Sequence, residues 1–166
     1  HQHIQLPTLI ITPSSLLKQW VDEAVNMTVI PRHYIFVYTR TRDTECRMFI
    51  QRNMESGLGG GIVFCSSQTL ARMIPSSTLA SVDWNLIVYD ECHLNLGKQS
   101  NGGCRSLRRL NGKFGGKILI SATVLRNNIQ TDISSYMYAM GLDVSKYRYK
   151  EKTNVYKWFW KRYVVT

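Results

Sequence analysis

The sequence predicts an α/β protein in which helices cover a parallel β-sheet, in three layers. Five short apolar runs alternate along the chain with stretches that carry apolar residues at helical spacing. A continuous apolar run is typical of a strand that is buried on both faces, and alternating strands and helices are typical of a parallel sheet. The 166 residues are enough for one domain with its own core.

The N-terminal half begins with the run TLIIT at residues 8–12, which Pro13 follows. Ser14 is then expected to cap a helix, because apolar residues from Leu16 to Val25 recur on one helical face. The alternation continues with a predicted strand at 34–38, a helix at 43–54, a strand at 61–65 and a helix from about Ser67.

The C-terminal half repeats this alternation. Its apolar runs predict strands at 85–89 and 117–121, and its periodic stretches predict helices at 104–110 and 128–140. The polar, glycine-rich stretches predict loops at 95–103 and 111–117. These elements form one predicted domain at residues 1–141, followed by a basic, aromatic tail at 142–166.

The charge is concentrated in one half of the chain. The net charge is +10, and residues 84–166 hold 14 lysines and arginines against 5 acidic residues. This excess indicates a polyanionic partner, nucleic acid first, although a solubilising surface would have the same composition. No apolar run approaches the roughly 20 residues of a membrane span, so no membrane association is expected. The four cysteines form no C-x-x-C pair, as is typical of reduced intracellular thiols.

Two adjacent carboxylates, Asp90 and Glu91, end the fourth apolar run in the stretch LIVYDECHLNLG. The carboxyl ends of parallel strands share one edge of a sheet, and α/β proteins bind ligands there. Short polar residues follow the other strands at the same predicted edge. From the residues alone, the carboxylates either cap a turn or hold a cation and activate water.

Four motifs occur in a defined order between residues 8 and 140. D-E-C-H at 90–93 and S-A-T at 121–123 resemble motifs II and III of the superfamily 2 helicases and translocases. LIITPSSLLKQWVDEA resembles the Swi/Snf-type motif Ia, and IVFCSSQTLAR resembles motif Ib. The Q-W of the first stretch and the L-R-N-N after S-A-T favour the Swi/Snf branch. The chain is therefore similar to the first RecA-like lobe of a Swi/Snf-type, DExH-box ATPase.

This resemblance implies a role for each motif residue. Asp90 would bind Mg²⁺ through water, and Glu91 would prepare the water that hydrolyses ATP. Four residues would couple the state of the nucleotide to movement of the lobes: His93, Ser121, Ala122 and Thr123. Five residues would face the DNA backbone, where hydroxyls and free N–H groups bind phosphates without distinguishing bases: Thr12, Pro13, Ser14, Ser66 and Ser67.

The sequence contains no G-x-x-x-x-G-K-[ST] phosphate loop. The resemblance implies that the phosphate-loop strand and helix precede His1. It also implies that the second RecA-like lobe follows Thr166, with the tail as the start of the lobe-connecting region. The lobe is thus expected to be incomplete, and inactive by itself.

The resemblance implies that the parent protein is a nuclear ATP hydrolase that translocates on double-stranded DNA, including nucleosomal DNA. Three alternatives stay open. The first is a truncated, non-catalytic remnant that binds DNA or a partner. The second is another superfamily 2 enzyme, such as an RNA helicase, which S-A-T favours. The third is a basic binding module with an accidental D-E-x-H.

Overall fold

A computed structural model of the chain describes residues 6–57, 59–96, 101–123 and 129–142. The L-R-N-N stretch and the tail beyond Leu142 lie outside the described residues. The described part contains a parallel five-stranded sheet in the order β2-β3-β1-β4-β5. The strands are β1 (Thr8–Thr12), β2 (Ile35–Tyr38), β3 (Ile62–Ser66), β4 (Asp83–Tyr89) and β5 (Asn111–Leu119).

Helices connect successive strands, as the sequence predicts for a parallel sheet. The longer helices are α1 (Leu17–Asn26), α2 (Asp43–Glu55), α6 (Gly102–Arg109) and α7 (Ile129–Ala139). Short helices lie between them: α3 (Ser67–Ala71), α4 (Thr78–Ser81) and α5 (His93–Leu96), together with 3₁₀ turns at Arg32–Tyr34 and Arg40–Arg42. None of the described helices has the length and apolar composition to cross a membrane.

The core lies on both faces of the sheet, as expected for strands with few polar residues. On one face, Leu9 and Ile11 of β1 pack in a large buried cluster with side chains of α2 to α7. On the other face, α1 packs through Val21 and Trp20 on Ile35 and Phe64. This second face is covered less completely at β5, where Ile118 is 46% exposed.

A partly buried lysine links β5 to the helices beside it. Lys117 Nζ donates hydrogen bonds to the carbonyl oxygens of Leu107 at 2.6 Å and Ala139 at 3.2 Å, at the C-terminal ends of α6 and α7. Burial and the nearby charge of Arg108 lower the pKa of Lys117 to about 8. The contact positions β5, which in turn leads to Ser121.

Three sequence predictions about local structure are wrong in whole or in part. The predicted loop at 95–103 is too long, because α5 ends at Leu96 and α6 begins at Gly102. The glycine-rich stretch 111–117 is not a loop, because β5 begins at Asn111 and its first residues pair with Asp83 and Trp84 of β4. Ser14 does not cap α1 either. The residues after Pro13 form a turn, closed by a 3.0 Å hydrogen bond from Leu16 N to Pro13 O, and the helix begins only at Leu17.

Candidate functional site

The backbone at the carboxyl edge of the sheet brings two of the motifs together. Asp90 N donates to Ile11 O at 2.8 Å, so the carboxylates follow β4 directly beside the end of β1. Ile120 N donates to Tyr89 O at 2.8 Å, and Cys92 N donates to Ile120 O at 3.0 Å. The D-E-C-H turn and the S-A-T segment are therefore joined by main-chain hydrogen bonds.

Both carboxylate oxygens of Asp90 accept a hydrogen bond. Oδ1 accepts the backbone N–H of Glu91 at 2.9 Å, and Oδ2 accepts the indole Nε1–H of Trp20 at 2.9 Å. The side chain is partly buried. In the sequence Trp20 is only a marker of the family, and this contact is not predicted. Q-W in the first motif was the signal present, but the sequence does not show which residue the indole reaches.

Glu91 adopts an unusual backbone conformation. Its φ is 48°, and among the described residues it is the one non-glycine residue with a positive φ. Such a conformation costs about 1–3 kcal/mol, and residues of this kind concentrate at functional sites. The turn directs the glutamate side chain toward His93, whose Nδ1 lies 3.1 Å from Glu91 Oε2.

The Glu91 carboxylate keeps an unused acceptor. Oε2 is buried and has no hydrogen-bonded partner in the part of the chain that the structure describes. His93 Nδ1 is near but is not aligned for a hydrogen bond with it. A buried acceptor without a donor is costly, so this oxygen has the chemistry to accept a hydrogen bond from water.

His93 connects the carboxylate turn to the S-A-T segment. Its Nδ1 lies 2.7 Å from Ser121 Oγ, and the His93 side chain is only 12% exposed. Ser121 Oγ in turn donates to the Thr123 carbonyl at 2.9 Å and accepts from Thr123 N at 3.1 Å. Ala122 and Thr123 are exposed beyond this turn. His93 and the S-A-T segment, which contain all the predicted coupling residues, are therefore adjacent in the structure.

Cys92, between the carboxylates and His93, is not a ligand candidate. Its side chain is 3% exposed, and burial together with the charges of Glu91 and Asp90 raises its pKa to about 12. The group therefore remains a thiol at neutral pH. Within the described ranges, no three His, Cys, Asp or Glu side chains form a cluster that could hold a metal ion by themselves.

The residues predicted to face DNA are less accessible than expected. Thr12, Pro13 and Ser67 are buried, and Ser66 is 8% exposed. The Ser66 hydroxyl accepts from Thr69 N at 3.1 Å and so caps α3. The Ser66 and Ser67 hydroxyls are used within the fold, whereas the buried Thr12 Oγ1 has no hydrogen-bonded partner among the described residues. Of the predicted set, Ser14 alone has an exposed side chain.

An open groove of about 490 Å³ lies along the same edge, beyond the ends of β2 and β3. Its lining includes exposed Arg40 and the hydroxyl residues Thr41, Thr69 and Ser76. Asp43 also lines the groove, but its carboxylate is engaged by the Tyr38 hydroxyl at 2.7 Å and by Thr78 N at 2.8 Å. The sequence does not predict this groove.

Comparison with known families decides the affiliation of the chain. The profile of the SNF2-related domain matches residues 1–141. The chain belongs to the SNF2-related domain family. This match confirms the Swi/Snf-type resemblance that the motifs indicate. Chromodomain-helicase-DNA-binding protein 3 homolog of Caenorhabditis elegans is 27% identical over 145 residues, which cover 77% of this chain. The chain spans 8% of the length of that relative.

Solved structures of similar fold are helicase domains. The Hef helicase domain of Pyrococcus furiosus matches with a TM-score of 0.57 at 19% identity, over 86% of this chain and 28% of that chain. The UvsW helicase of bacteriophage T4 matches with a TM-score of 0.52 at 16% identity, over 85% of this chain and 44% of that chain. These matches confirm the predicted RecA-like, parallel-sheet fold of this SNF2-related domain.

Proposed function

We propose that this domain is part of an ATP-dependent translocase of Swi/Snf type that moves on double-stranded DNA. In this proposal Asp90 holds Mg²⁺ through water, and Glu91 orients the water that attacks ATP. His93 and the Ser121–Thr123 segment pass the state of the site to the rest of the protein. Family membership supports ATP use, and the chromodomain-helicase relative supports chromatin as the setting and the nucleus as the location.

The observation that carries the proposal is the state of Glu91. Its backbone is held at φ 48°, and its Oε2 is buried without a hydrogen-bonded partner among the described residues. A folded domain maintains such a backbone conformation only at a cost, and His93 Nδ1 at 3.1 Å is the polar group beside this oxygen among the described residues. A carboxylate that accepts the proton of an attacking water needs an available oxygen of this kind. A helix-capping carboxylate would have its oxygens occupied by backbone N–H groups.

The residues present fit Mg²⁺ as the family uses it. Mg²⁺ keeps several waters and is bound by one or two carboxylates together with substrate phosphates, so it does not need a full protein cage. Asp90 lies at the carboxyl edge of the sheet, and hydrogen bonds orient both of its carboxylate oxygens. When bound, Mg²⁺ would neutralise charge on the terminal phosphates of ATP. Asp90 would accept a hydrogen bond from a water molecule in the coordination shell of Mg²⁺.

The proposed DNA surface is the carboxyl edge between Ser14 and the groove at Arg40. Ser14 and Arg40 have exposed side chains on this edge, and Arg40 supplies a cation suited to phosphate oxygens. Thr12, Pro13, Ser66 and Ser67 would contribute through the backbone that they position, because their side chains are buried. A partner lobe would close over the same edge.

The decisive test is Glu91→Gln in the whole protein that carries this domain. Glutamine keeps the size of the side chain but cannot take a proton, so we expect kcat for ATP hydrolysis to fall about 10²–10⁴-fold with ATP affinity nearly unchanged. Exposed Glu55, which accepts a hydrogen bond from Gln51, provides the matched control Glu55→Gln. Turnover at the wild-type rate in Glu91→Gln would refute the assignment.

The nucleic-acid preference is tested with the wild-type protein in the same assay. Translocation on duplex DNA predicts that duplex DNA stimulates ATP hydrolysis more strongly than RNA of equal length. Stronger stimulation by RNA would instead support the RNA-helicase alternative. If neither polymer stimulates hydrolysis, the remnant alternative gains support. The Arg40→Ala variant should weaken the stimulation by DNA, because one phosphate contact is lost.

A further inference from the structure

The hydrogen bond between Trp20 and Asp90 joins residues that are 70 positions apart in the chain. Trp20 lies in the first turns of α1, on the opposite side of the β1–β4 pair from the large core cluster. The assigned roles of the motif residues do not use this indole. Its N–H nevertheless donates a hydrogen bond to the Asp90 carboxylate, which is proposed to hold the cation.

The contact restricts the orientation of the Asp90 carboxylate but leaves it able to accept hydrogen bonds from water. A carboxylate has about four lone-pair positions on its two oxygens. Glu91 N occupies one position on Oδ1, and Trp20 Nε1 occupies one on Oδ2. With a donor on each oxygen, the carboxylate plane cannot rotate without breaking a hydrogen bond. Each oxygen still has a lone pair for a water molecule of the coordination shell.

Trp20 is itself held in place. Its backbone N–H donates to Leu16 O at 3.0 Å, and its ring packs in the cluster that contains Val21 and Phe64. An indole nitrogen is a donor only, so Trp20 cannot coordinate a metal ion through this atom. The residue therefore has the features of a support for Asp90 and none of those of a ligand.

We propose that Trp20 is a positioning residue for the cation site: its indole N–H fixes the Asp90 carboxylate in the orientation that holds the cation-bound water. This inference rests on the proposed function, because it needs Asp90 to be the cation carboxylate. Outer partners of this kind orient the groups that bind a metal, and their loss typically weakens metal affinity about 10–100-fold.

The first experiment uses Mn²⁺ as a paramagnetic substitute for Mg²⁺ on the whole protein that carries this domain, together with a non-hydrolysable ATP analogue whose phosphates supply the other ligands. With ¹⁵N-labelled indoles, Mn²⁺ should broaden the Trp20 N–H signal. Trp84 is the internal control, since its indole donates to Leu79 O at 3.0 Å near the start of β4. A strand of this length separates the two ends by roughly 20 Å. Because broadening falls with the sixth power of distance, the Trp84 signal should remain sharp.

The signals are assigned with Trp20→Phe and Trp84→Phe variants. Selective broadening of the Trp20 signal that disappears in Asp90→Asn supports a cation at Asp90 beside Trp20. Equal broadening of both signals, or none, overturns the proposal. This result is obtained on the wild-type fold, so it holds even if a Trp20 variant is unstable.

The second experiment measures the positioning role directly, by quantifying free Mn²⁺ with electron paramagnetic resonance in the same mixture, with the protein in excess over the ATP analogue. Trp20→Phe keeps an aromatic ring in the cluster but removes the donor, and we expect the Mn²⁺ dissociation constant to rise about 10-fold. The matched control is Gln19→Ala, at the adjacent exposed residue that donates to Glu23. This control should leave the dissociation constant unchanged.

The outcomes separate the two levels of the proposal. If Asp90→Asn loses Mn²⁺ binding but Trp20→Phe binds as wild type does, the positioning role is overturned and the proposed cation site stands. If Asp90→Asn binds Mn²⁺ like the wild type, the cation site itself fails, and the positioning role fails with it. A 10-fold weakening in Trp20→Phe with Gln19→Ala unaffected supports both.

Discussion

His93 Nδ1 lies 2.7 Å from Ser121 Oγ, and the partners of the serine assign the ring nitrogen as the donor in this contact. A hydroxyl has one proton, and the Ser121 proton is directed to the Thr123 carbonyl at 2.9 Å. The ring nitrogen must therefore carry the hydrogen in this contact. The tautomer assigned in this way leaves Nε2 as the acceptor nitrogen of the neutral ring.

Removing the serine hydroxyl should change the hydrogen bonding of His93 Nδ1. In Ser121→Ala, Glu91 Oε2 at 3.1 Å is left as the acceptor beside Nδ1, and we expect the ring to turn toward this carboxylate, with a loss of stability of about 1 kcal/mol. The ¹⁵N chemical shifts of His93 would report the change. Ser81→Ala is the matched control, since exposed Ser81 donates to the Thr78 carbonyl away from this site. An unchanged His93 spectrum in Ser121→Ala would contradict the assigned donor.

The strands and the main edge of the site could be predicted from the sequence, because burial on both faces leaves a continuous apolar run. TLIIT at 8–12 is strand β1 over the predicted range, and Asp90 follows β4 at the predicted edge. The start of β5 could not be predicted in this way. Its glycines have low strand propensity, and pairing with β4 overrides that preference.

The details of the site depend on contacts between distant parts of the chain. The bond from Trp20 to Asp90 arises from the path of α1 over the end of β4, which no local pattern encodes. The burial of Thr12 depends likewise on how closely neighbouring elements pack over the strand end. The sequence therefore predicted which residue types gather at the edge, but not which of them remain accessible.

Asp43 anchors the start of α2 to the segment that follows α3. Its Oδ1 accepts from the Tyr38 hydroxyl at 2.7 Å and Thr78 N at 2.8 Å, and its Oδ2 accepts from Thr78 Oγ1 at 2.9 Å. Burial by itself would raise the pKa of Asp43. The hydrogen bonds from Tyr38 and Thr78 and the charge of Arg47 outweigh that effect and lower the pKa from its ordinary value of 3.8.

This lowered pKa predicts a pH-dependent stability. The folded state binds the Asp43 proton less readily than the unfolded state, so its stabilisation is fully present above about pH 4 and is lost as the pH falls through the lowered pKa. We expect Asp43→Asn to reduce the free energy of unfolding by about 2 kcal/mol at pH 7. The difference from wild type should shrink toward zero at strongly acidic pH, as measured by urea unfolding.

Asp22→Asn is the control for this experiment. Asp22 pairs with Lys18 on an exposed helix face, and such pairs contribute about 0–1 kcal/mol. Its substitution should leave the urea midpoint nearly unchanged at every pH. A difference between wild type and Asp43→Asn that stays constant down to strongly acidic pH would show that the Asp43 charge is not the source of the stability.

Gly61, just before β3, requires both a positive φ and the absence of a side chain. Its φ is 80°, and a Cβ at this position would lie 2.7 Å from Phe49 Cζ and 2.9 Å from Tyr34 O. Gly57 has a similar φ of 71°, but a Cβ there would meet no atom within 4 Å. The two positions therefore share the backbone penalty and differ in steric overlap.

Alanine variants of Gly57 and Gly61 separate the cost of a positive φ from the cost of steric overlap. Gly57→Ala should lose about 1 kcal/mol of stability, because alanine disfavours a positive φ. Gly61→Ala should lose about 3 kcal/mol, since the added methyl group must also displace the Phe49 ring or the Tyr34 carbonyl in a packed region. Urea unfolding of both variants measures the difference. Equal losses would mean that the Phe49 ring gives way freely, so that the packing of α2 on β3 is looser than these contacts indicate.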